Sequence, residues 1–278
     1  MLADDLLRRM LAEDVPYGDL TTALLGIGDR PGRIAFFARG AMVACATEEA
    51  ARLFEIGGAR PAADLVPSGT PVAAGTKLLA AEGSAAALHA VWKVAQVLVE
   101  TASGVATAAS ALVAAARAVN PAVAVACTRK NFPGTRALGV RAIVAGGASP
   151  HRLGLSDSIL VFAEHRLFLG GEPAADWIGR LKAAAPERKI AVEVTGAGEA
   201  LAVAAAGADI VQLEKFSPEA VRAVAGRLGP VAPAVIVAAA GGIDLTNAAA
   251  YAEAGARVLV TSAPYHAKPL DVQVRFEA

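Results

Sequence analysis

The chain has 278 residues, and its 26 Lys plus Arg are balanced by 26 Asp plus Glu. A net charge of about zero argues against bulk binding to nucleic acid or to an anionic membrane. Two cysteines, Cys45 and Cys127, are too few for a disulfide framework, and without a CxxC or paired Cys/His spacing a structural zinc site is not expected.

Met1 to Asp14 reads as an amphipathic helix carrying Asp4, Asp5, Arg8, Arg9, Glu13 and Asp14. It lacks the basic start and apolar centre of a signal peptide. Residues 24–85 hold strand-like pieces at 33–38, 41–44 and 77–80, with a helix at about 47–56 and turns such as Arg30-Pro31-Gly32 between them. This predicts a small α+β unit. Residues 86–119 read as one or two long helices, with a break near Ser103-Gly104. The Ala/Val-rich stretches at 104–127 and 200–206 are interrupted by Arg117, Asn120, Gly207 and Asp209. Neither is a clean run of bilayer-spanning length, so the expectation is a cytoplasmic protein that inserts in no membrane.

From residue 122 the rhythm changes. Apolar strand candidates recur at 122–127, 141–145, 158–163, 189–194, 208–213, 234–240 and 257–261, and helical patterns intervene at 172–185, 197–206, 217–227 and 246–254. Strands alternating with helices predict a parallel sheet, and seven of them fit a closed or nearly closed α/β barrel. Barrel chemistry sits at the C-terminal ends of strands. Arg129, Lys130, Gly147, His151, His165, Glu193, Glu214, Gly241 and Ser262 fall there. The tail alternates like a strand. The expected domains are an α+β domain over 1–107, joined by 270–278, and an α/β barrel over 108–269.

Thr128 to Arg136 ends the first of these strands in a loop with Arg129, Lys130, Arg136 and no carboxylate; Gly146 to Arg152 adds His151 and Arg152. Two such clusters suggest one pocket for a strongly anionic small molecule. Gly241-Gly242, followed by Thr246-Asn247 at a helix start, and Thr261-Ser262-Ala263 suit a phosphate; a plain tight turn at Gly241-Gly242 is an equal reading. Glu193 and Glu214 each end an apolar run, where a carboxylate needs a partner or solvent. Cys127 stands beside Arg129 and Lys130, which could lower its thiol pKa, though a small strand-end residue is the simpler reading.

The pattern T-R-K-x-x-P-G-x-R at 128–136, then G-G-x-x-x-H-R-x-G-L-S-D at 146–157, resembles the quinolinate phosphoribosyltransferases. The resemblance runs over nearly the whole chain, through Glu13 to Thr22, Ser103 to Thr107, Glu193, Leu213-Glu214, Gly241-Gly242-Ile243 and His266. Segments 14–19, 129–134, 212–216 and 260–265 resemble a branch of that family found with molybdate-transport genes. The resemblance implies phosphoribosyl transfer from phosphoribosyl pyrophosphate (PRPP) to a small aromatic acceptor, with Mg²⁺, in a homodimer whose active sites are composite. It implies that Glu193 and Glu214 bind ribose or Mg²⁺ and, with Lys130, carry the catalysis. Lys93, Arg129, His151, Arg152 and Phe162 correspond to acceptor-binding positions, with Lys93 where the family usually has an arginine donated across the dimer. Lys130, Gly241, Gly242, Thr261, Ser262, Ala263 and His266 correspond to positions that hold PRPP phosphates. His165 matches a family histidine, although a lone histidine is more often structural.

The departures bear on the acceptor. Where the family reads L-I-K-D-N-H, this chain has Leu160-Val161-Phe162-Ala163-Glu164-His165, so Phe162 replaces the lysine that helps hold quinolinate. Cys127 replaces an aspartate, and Ala238-Ala239-Ala240 stands where the family has E-S-S. A buried dicarboxylate deprived of one counter-charge loses about 2–5 kcal/mol. The expected acceptor is therefore a heteroaromatic acid or N-heterocycle other than quinolinate. The rivals are a true quinolinate phosphoribosyltransferase of NAD synthesis and a non-catalytic oxyanion-binding protein.

Overall fold

In the computed structural model, which describes residues Met1–Ala278, the chain begins with α1 (Asp4–Asp14) and α2 (Leu20–Leu24). The Asp19 carboxylate caps α2 by accepting from the Thr21 and Thr22 amides at 3.1 and 3.3 Å. There follow β1 (Pro31–Ala38), β2 (Met42–Val43), α3 (Thr47–Ile56), β3 (Arg60–Pro61), β4 (Pro71–Val72), β5 (Lys77–Ser84) and α4 (Ala85–Val119). The helix α4 runs unbroken through Ser103-Gly104, against expectation. A Cβ on Gly104 would collide with the Lys268 carbonyl, so this glycine serves a close approach rather than a break. α4 is long and apolar enough to cross a membrane by composition, but more than half of its most apolar stretch is buried inside the protein.

The chain continues through β6 (Ala124–Cys127), α5 (Arg136–Ala145), β7 (Ser149–Pro150), β8 (Ile159–Val161), α6 (Ala163–Leu167), α7 (Ala174–Ala184), β9 (Ile190–Val194) and α8 (Ala197–Ala205). Then come β10 (Ile210–Glu214), α9 (Pro218–Val231), β11 (Ile236–Ala240), α10 (Ala248–Glu253), β12 (Val258–Thr261), a 3₁₀ turn (Ala263–His266) and β13 (Val272–Glu277). Two compact units result. The first comprises Met1–Ser110, Phe132–Gly147 and Pro264–Ala278; the second comprises Ala111–Asn131 and Ala148–Ala263.

In the first unit, antiparallel strands order as β13-β1-β5-β3. Alternation along β1 buries Ile34, Phe36 and Ala38, and Phe36 meets Phe54 of α3 edge-on at 5.9 Å. The run 141–145, expected as a strand, is the end of α5 in this unit. Short apolar runs do not separate strand from helix by periodicity. Here Ala142 and Ile143 are buried, while Arg141 pairs with Glu48 at 3.0 Å and Glu49 at 3.2 Å.

The second unit holds seven parallel strands ordered β7-β6-β12-β11-β10-β9-β8. The seventh strand is the two-residue β7, with Pro150 at the sheet edge, where a missing N–H is tolerated. No pairing joins β7 to β8, so the sheet curls into an incomplete barrel with helices between its strands. Register places Glu193 beside Gln212, Gln212 beside Ala238, and Glu214 beside Ala240. Alternation therefore puts these side chains on one face. Ile210, Ala238, Ala240, Val258 and Val260 form the apolar cluster there. Val211 and Leu213, on the opposite face, are fully buried. Small side chains at 238 and 240 take little room beside Gln212 and Glu214.

Candidate active site

Glu193 and Glu214 stand at the C-terminal ends of the neighbouring strands β9 and β10, both half-buried. Gln212 Nε2 donates to Glu193 Oε2 at 2.6 Å, and Arg166 donates to the Glu193 backbone carbonyl at 3.2 Å while pairing with Glu199. Burial pushes the Glu193 carboxyl above its ordinary value. The Gln212 bond opposes this, and the negative charges of Glu214 and Glu164 push the same way as burial, with Lys130 opposing. No group of three His, Cys, Asp or Glu side chains forms a metal cage. Two mutually repelling carboxylates at adjoining strand ends do fit Mg²⁺, which binds through one or two carboxylates and shares the rest of its shell with water and substrate phosphates.

The cations gather at the ends of β6 and β7. Arg129 is half-buried and Lys130 exposed. His151 follows β7, its amide donating to the Cys127 carbonyl at 2.8 Å. Burial, and next the Arg152 charge, hold the His151 imidazole below its ordinary value, with the Gln212 amide opposing. Arg152 is only 8% exposed and enters no ion pair. Burial and the neighbouring Arg129 lower its pKa, yet a guanidinium stays charged. The Asp157 and Glu193 charges oppose that shift, and a ligand anion would add direct compensation to a guanidinium held this deep. Its central carbon lies 5.5 Å from the Phe162 ring centre.

His165 has a local structural job. Its Nδ1 accepts from the Phe162 amide at 3.0 Å at the start of α6, and the two rings stack at 5.7 Å. Cys127 is fully buried, and burial pushes its thiol up to about 12. The simpler reading of this residue therefore holds, and a reactive thiolate does not.

The glycine pair ends β11, with φ of 89° at Gly241 and 75° at Gly242. A Cβ on Gly241 would stand 2.9 Å from Glu214 Oε1 and 2.7 Å from Lys215 Cγ. The following loop is braced from within. Asp244 Oδ1 accepts from the Thr246 amide at 2.8 Å, Asn247 Oδ1 accepts from the Asp244 amide at 3.0 Å, and Asn247 Nδ2 donates to the Gly242 carbonyl at 2.9 Å. None of these bonds uses the Gly241 or Gly242 amide. They do correct the expectation of a phosphate-binding helix start at Thr246-Asn247, because Asp244 already occupies the Thr246 amide and α10 has only six residues. Beyond β12, Thr261 Oγ1 donates to the Ile243 carbonyl at 2.6 Å and accepts from the Ala263 amide at 3.0 Å. Ser262 is half-buried between them.

Lys93 and His266 belong to the first unit. Lys93 is exposed on α4, where its ammonium donates to Gln96 Oε1 at 2.8 Å and lies 4.1 Å over the Trp92 ring. His266 is exposed at the end of the 3₁₀ turn. Gln212, Lys215 and Arg166 were not singled out from the sequence. Gln212 carried the same signal as Glu193, a polar residue inside a fully apolar strand run.

Residues 105–275 match the C-terminal domain of quinolinate phosphoribosyl transferase and residues 19–103 its N-terminal domain. A Rhodobacter capsulatus protein named as a candidate pyrophosphorylase, ModD, is 54% identical over 92% of this chain and 98% of its own. A nicotinate-nucleotide pyrophosphorylase (carboxylating) of Mycobacterium leprae is 33% identical over 95% of this chain and 93% of its own. The solved structure of NadC from Streptococcus pyogenes superposes with a TM-score of 0.89 at 26% identity, covering 98% of this chain and 95% of that one.

Proposed function

We infer the activity from one premise: the chain belongs to the quinolinate phosphoribosyl transferase family. It is a phosphoribosyltransferase of the pyrophosphorylase type. We propose that it transfers the phosphoribosyl group of PRPP to a heteroaromatic acid or N-heterocycle other than quinolinate, in the cytoplasm. The acceptor ring nitrogen forms a bond to C1 of the ribose as the bond to pyrophosphate breaks, and pyrophosphate leaves with the electron pair.

The observation that carries this reading is Arg152, a buried guanidinium beside the Phe162 ring that makes no direct ion pair and feels the Asp157 and Glu193 charges only from a distance. Arg129 and Arg152 suit a carboxylate, which a guanidinium fork can grip with two bonds. Phe162 offers a flat apolar wall and no charge for a second carboxylate. His151 stands between the acceptor cations and Gln212. In this reading Glu193 and Glu214 bind the ribose hydroxyls and stabilise positive charge as it develops on the ribose ring. They would also hold Mg²⁺, which supplies charge neutralisation for pyrophosphate. Lys130, within electrostatic reach of Glu193, would hold the donor phosphates, with the Gly241-Gly242 amides and Thr261 to Ala263. The same reading places Lys93 and His266 at the site of a symmetric dimer. The resemblance to the branch found with molybdate-transport genes motivates a tie to molybdenum handling, tested by growth of a deletion strain under molybdate limitation.

The test is pyrophosphate release from PRPP and Mg²⁺ with a panel of heteroaromatic acids that includes quinolinate. Turnover with a monocarboxylate in excess of quinolinate is expected. Efficient quinolinate turnover would establish the NAD-synthesis alternative instead. No release with any acceptor, together with no thermal shift on adding PRPP, would overturn the transferase reading and leave an oxyanion-binding protein.

A further inference from the structure

We propose that Lys215 binds a phosphate group of the phosphoribosyl donor; the proposal rests on the transferase reading above. Lys215 follows Glu214, the last residue of β10, and has a φ of 59°. Ala46 is the only other non-glycine residue with positive φ. A β-carbon disfavours that conformation, and where a turn alone is needed glycine or asparagine serves better. A strained residue persists when the surrounding structure over-determines it, and such strain collects at functional sites.

Both ends of the strained turn are held by the elements that flank the glycine loop. The Lys215 amide donates to the Ala240 carbonyl, the last residue of β11, at 2.8 Å. One residue on, the Phe216 carbonyl accepts from Tyr251 Oη of α10 at 2.8 Å. Ser217 then caps α9, its Oγ accepting from the Ala220 amide at 3.2 Å. The turn between β10 and α9 is thus three residues long and tied to both sides of Gly241–Asn247. The left-handed backbone carries the Lys215 stem over Gly241, where a Cβ would come within 2.7 Å of Lys215 Cγ. Only a glycine at 241 admits that stem together with the Glu214 carboxylate.

The lysine stem therefore lies across the loop whose free amides suit a phosphate, at the same strand ends as Glu193 and Glu214. Its head is exposed and enters no ion pair. Glu214, its immediate neighbour, is turned toward Gly241 rather than paired with it. A lysine head is a compact, mobile point charge suited to phosphate. The strain is explained if the side chain at 215 is needed for what it binds rather than for the turn.

The experiment compares wild type with Lys215→Gly, Lys215→Gln and Lys215→Arg, using ribose 5-phosphate, inorganic pyrophosphate with Mg²⁺, and PRPP with Mg²⁺ as separate calorimetric titrants, and records the melting temperature of each protein. The proposal expects Lys215→Gly to melt no lower than wild type, because glycine adopts this φ without strain. It expects the same variant and Lys215→Gln to bind PRPP about 10-fold more weakly or worse, the loss of one charge-assisted bond, while Lys215→Arg keeps most of the affinity. A loss seen with ribose 5-phosphate assigns the lysine to the 5′-phosphate; a loss seen with pyrophosphate assigns it to the leaving group; either supports the proposal. Undiminished binding of all three ligands by Lys215→Gly overturns it while leaving the transferase reading intact. Wild type that binds none of the three overturns both.

Discussion

Gln212 Nε2 and Glu193 Oε2 are 2.6 Å apart, and the two residues are register partners on β10 and β9. The pairing gives the half-buried carboxylate its donor. It also leaves Gln212, 4% exposed, with a buried Oε1 that has no hydrogen-bond partner. His151 lies close enough for that amide to favour its protonated form. One side chain thus stands between the carboxylate and cation ends of the site.

Replacing Gln212 by Met should separate folding from function. The variant leaves the half-buried Glu193 carboxylate without its donor, so stability should fall by about 1–3 kcal/mol, too little to unfold the chain. Glu193 loses its orienting donor, and kcat/KM for transfer should fall about 10-fold, the value of one well-placed bond to a charged group. An unaltered kcat/KM would show that Glu193 needs no help from Gln212.

His151 sets a pH signature. Its folded pKa lies below the ordinary value near 6.5, so between the two values the unfolded chain binds more protons than the folded one. Stability contributed by this group is then complete above about 6.5 and declines as pH falls through the folded value. Glu193 runs the other way: its folded pKa lies above 4.5, so stability is lost as pH rises from 4.5 through that raised value. Melting temperatures of wild type and His151→Asn from pH 5 to 7.5 should differ in slope, with the variant flatter on the acid side. Parallel curves would remove His151 from the buried cluster.

The first unit holds a separate test of structure alone. Glu49 is fully buried with Oε2 unpartnered, and Arg141 bridges it to Glu48. Arg141→Met should destabilise by about 3 kcal/mol, the order expected when one partner of a buried pair is removed. Chemical denaturation measures it. A loss below about 1 kcal/mol would mean that solvent reaches Glu49 and compensates it.

How far the sequence reached depended on the kind of signal. Strands β9, β10, β11 and β12 were legible because each is a short, largely apolar run, with Glu193, Glu214, the Gly241-Gly242 pair or Thr261 at or just beyond its C-terminal end. Thr47–Ile56 was legible as a helix to the residue. The run 141–145 misled because four apolar residues after Arg141 carry no period, and the true strand, Ser149–Pro150, is too short to announce itself. Ser103-Gly104 misled because the glycine accommodates Lys268, a contact 164 positions away in sequence. The cations and carboxylates that the structure gathers at these strand ends were visible as residue types, but the Gln212 bond and the φ of Lys215 are properties of register and backbone that no local pattern encodes.

The composite dimer implied by Lys93 has a direct test. Lys93→Ala and Glu193→Ala should each be nearly inactive alone. Mixed under subunit exchange they should recover activity toward about a quarter of wild type, because half of randomly paired dimers would carry one intact site. Failure to recover, with a monomer mass in solution, would place Lys93 outside the chemistry and confine its role to its contacts with Gln96 and Trp92.

The proposed acceptor preference turns on Phe162. Its ring faces the buried Arg152 guanidinium where the resembled family carries a lysine. Phe162→Lys should improve quinolinate as a substrate by restoring a counter-charge for its second carboxylate. The gain should appear mainly in KM, since a cation opposite a carboxylate stabilises bound substrate and transition state alike. It should be partial. The new ammonium would stand beside Arg152 and Arg129, whose charges already oppose one another, and the stack with His165 that caps α6 would be lost. Neighbouring substitutions of this kind do not add. Steady-state kinetics with quinolinate and with the best monocarboxylate, on wild type and variant, decide it. A variant whose quinolinate KM is unchanged would mean that Phe162 turns away from the acceptor, and the apolar wall would have to be sought elsewhere in the site.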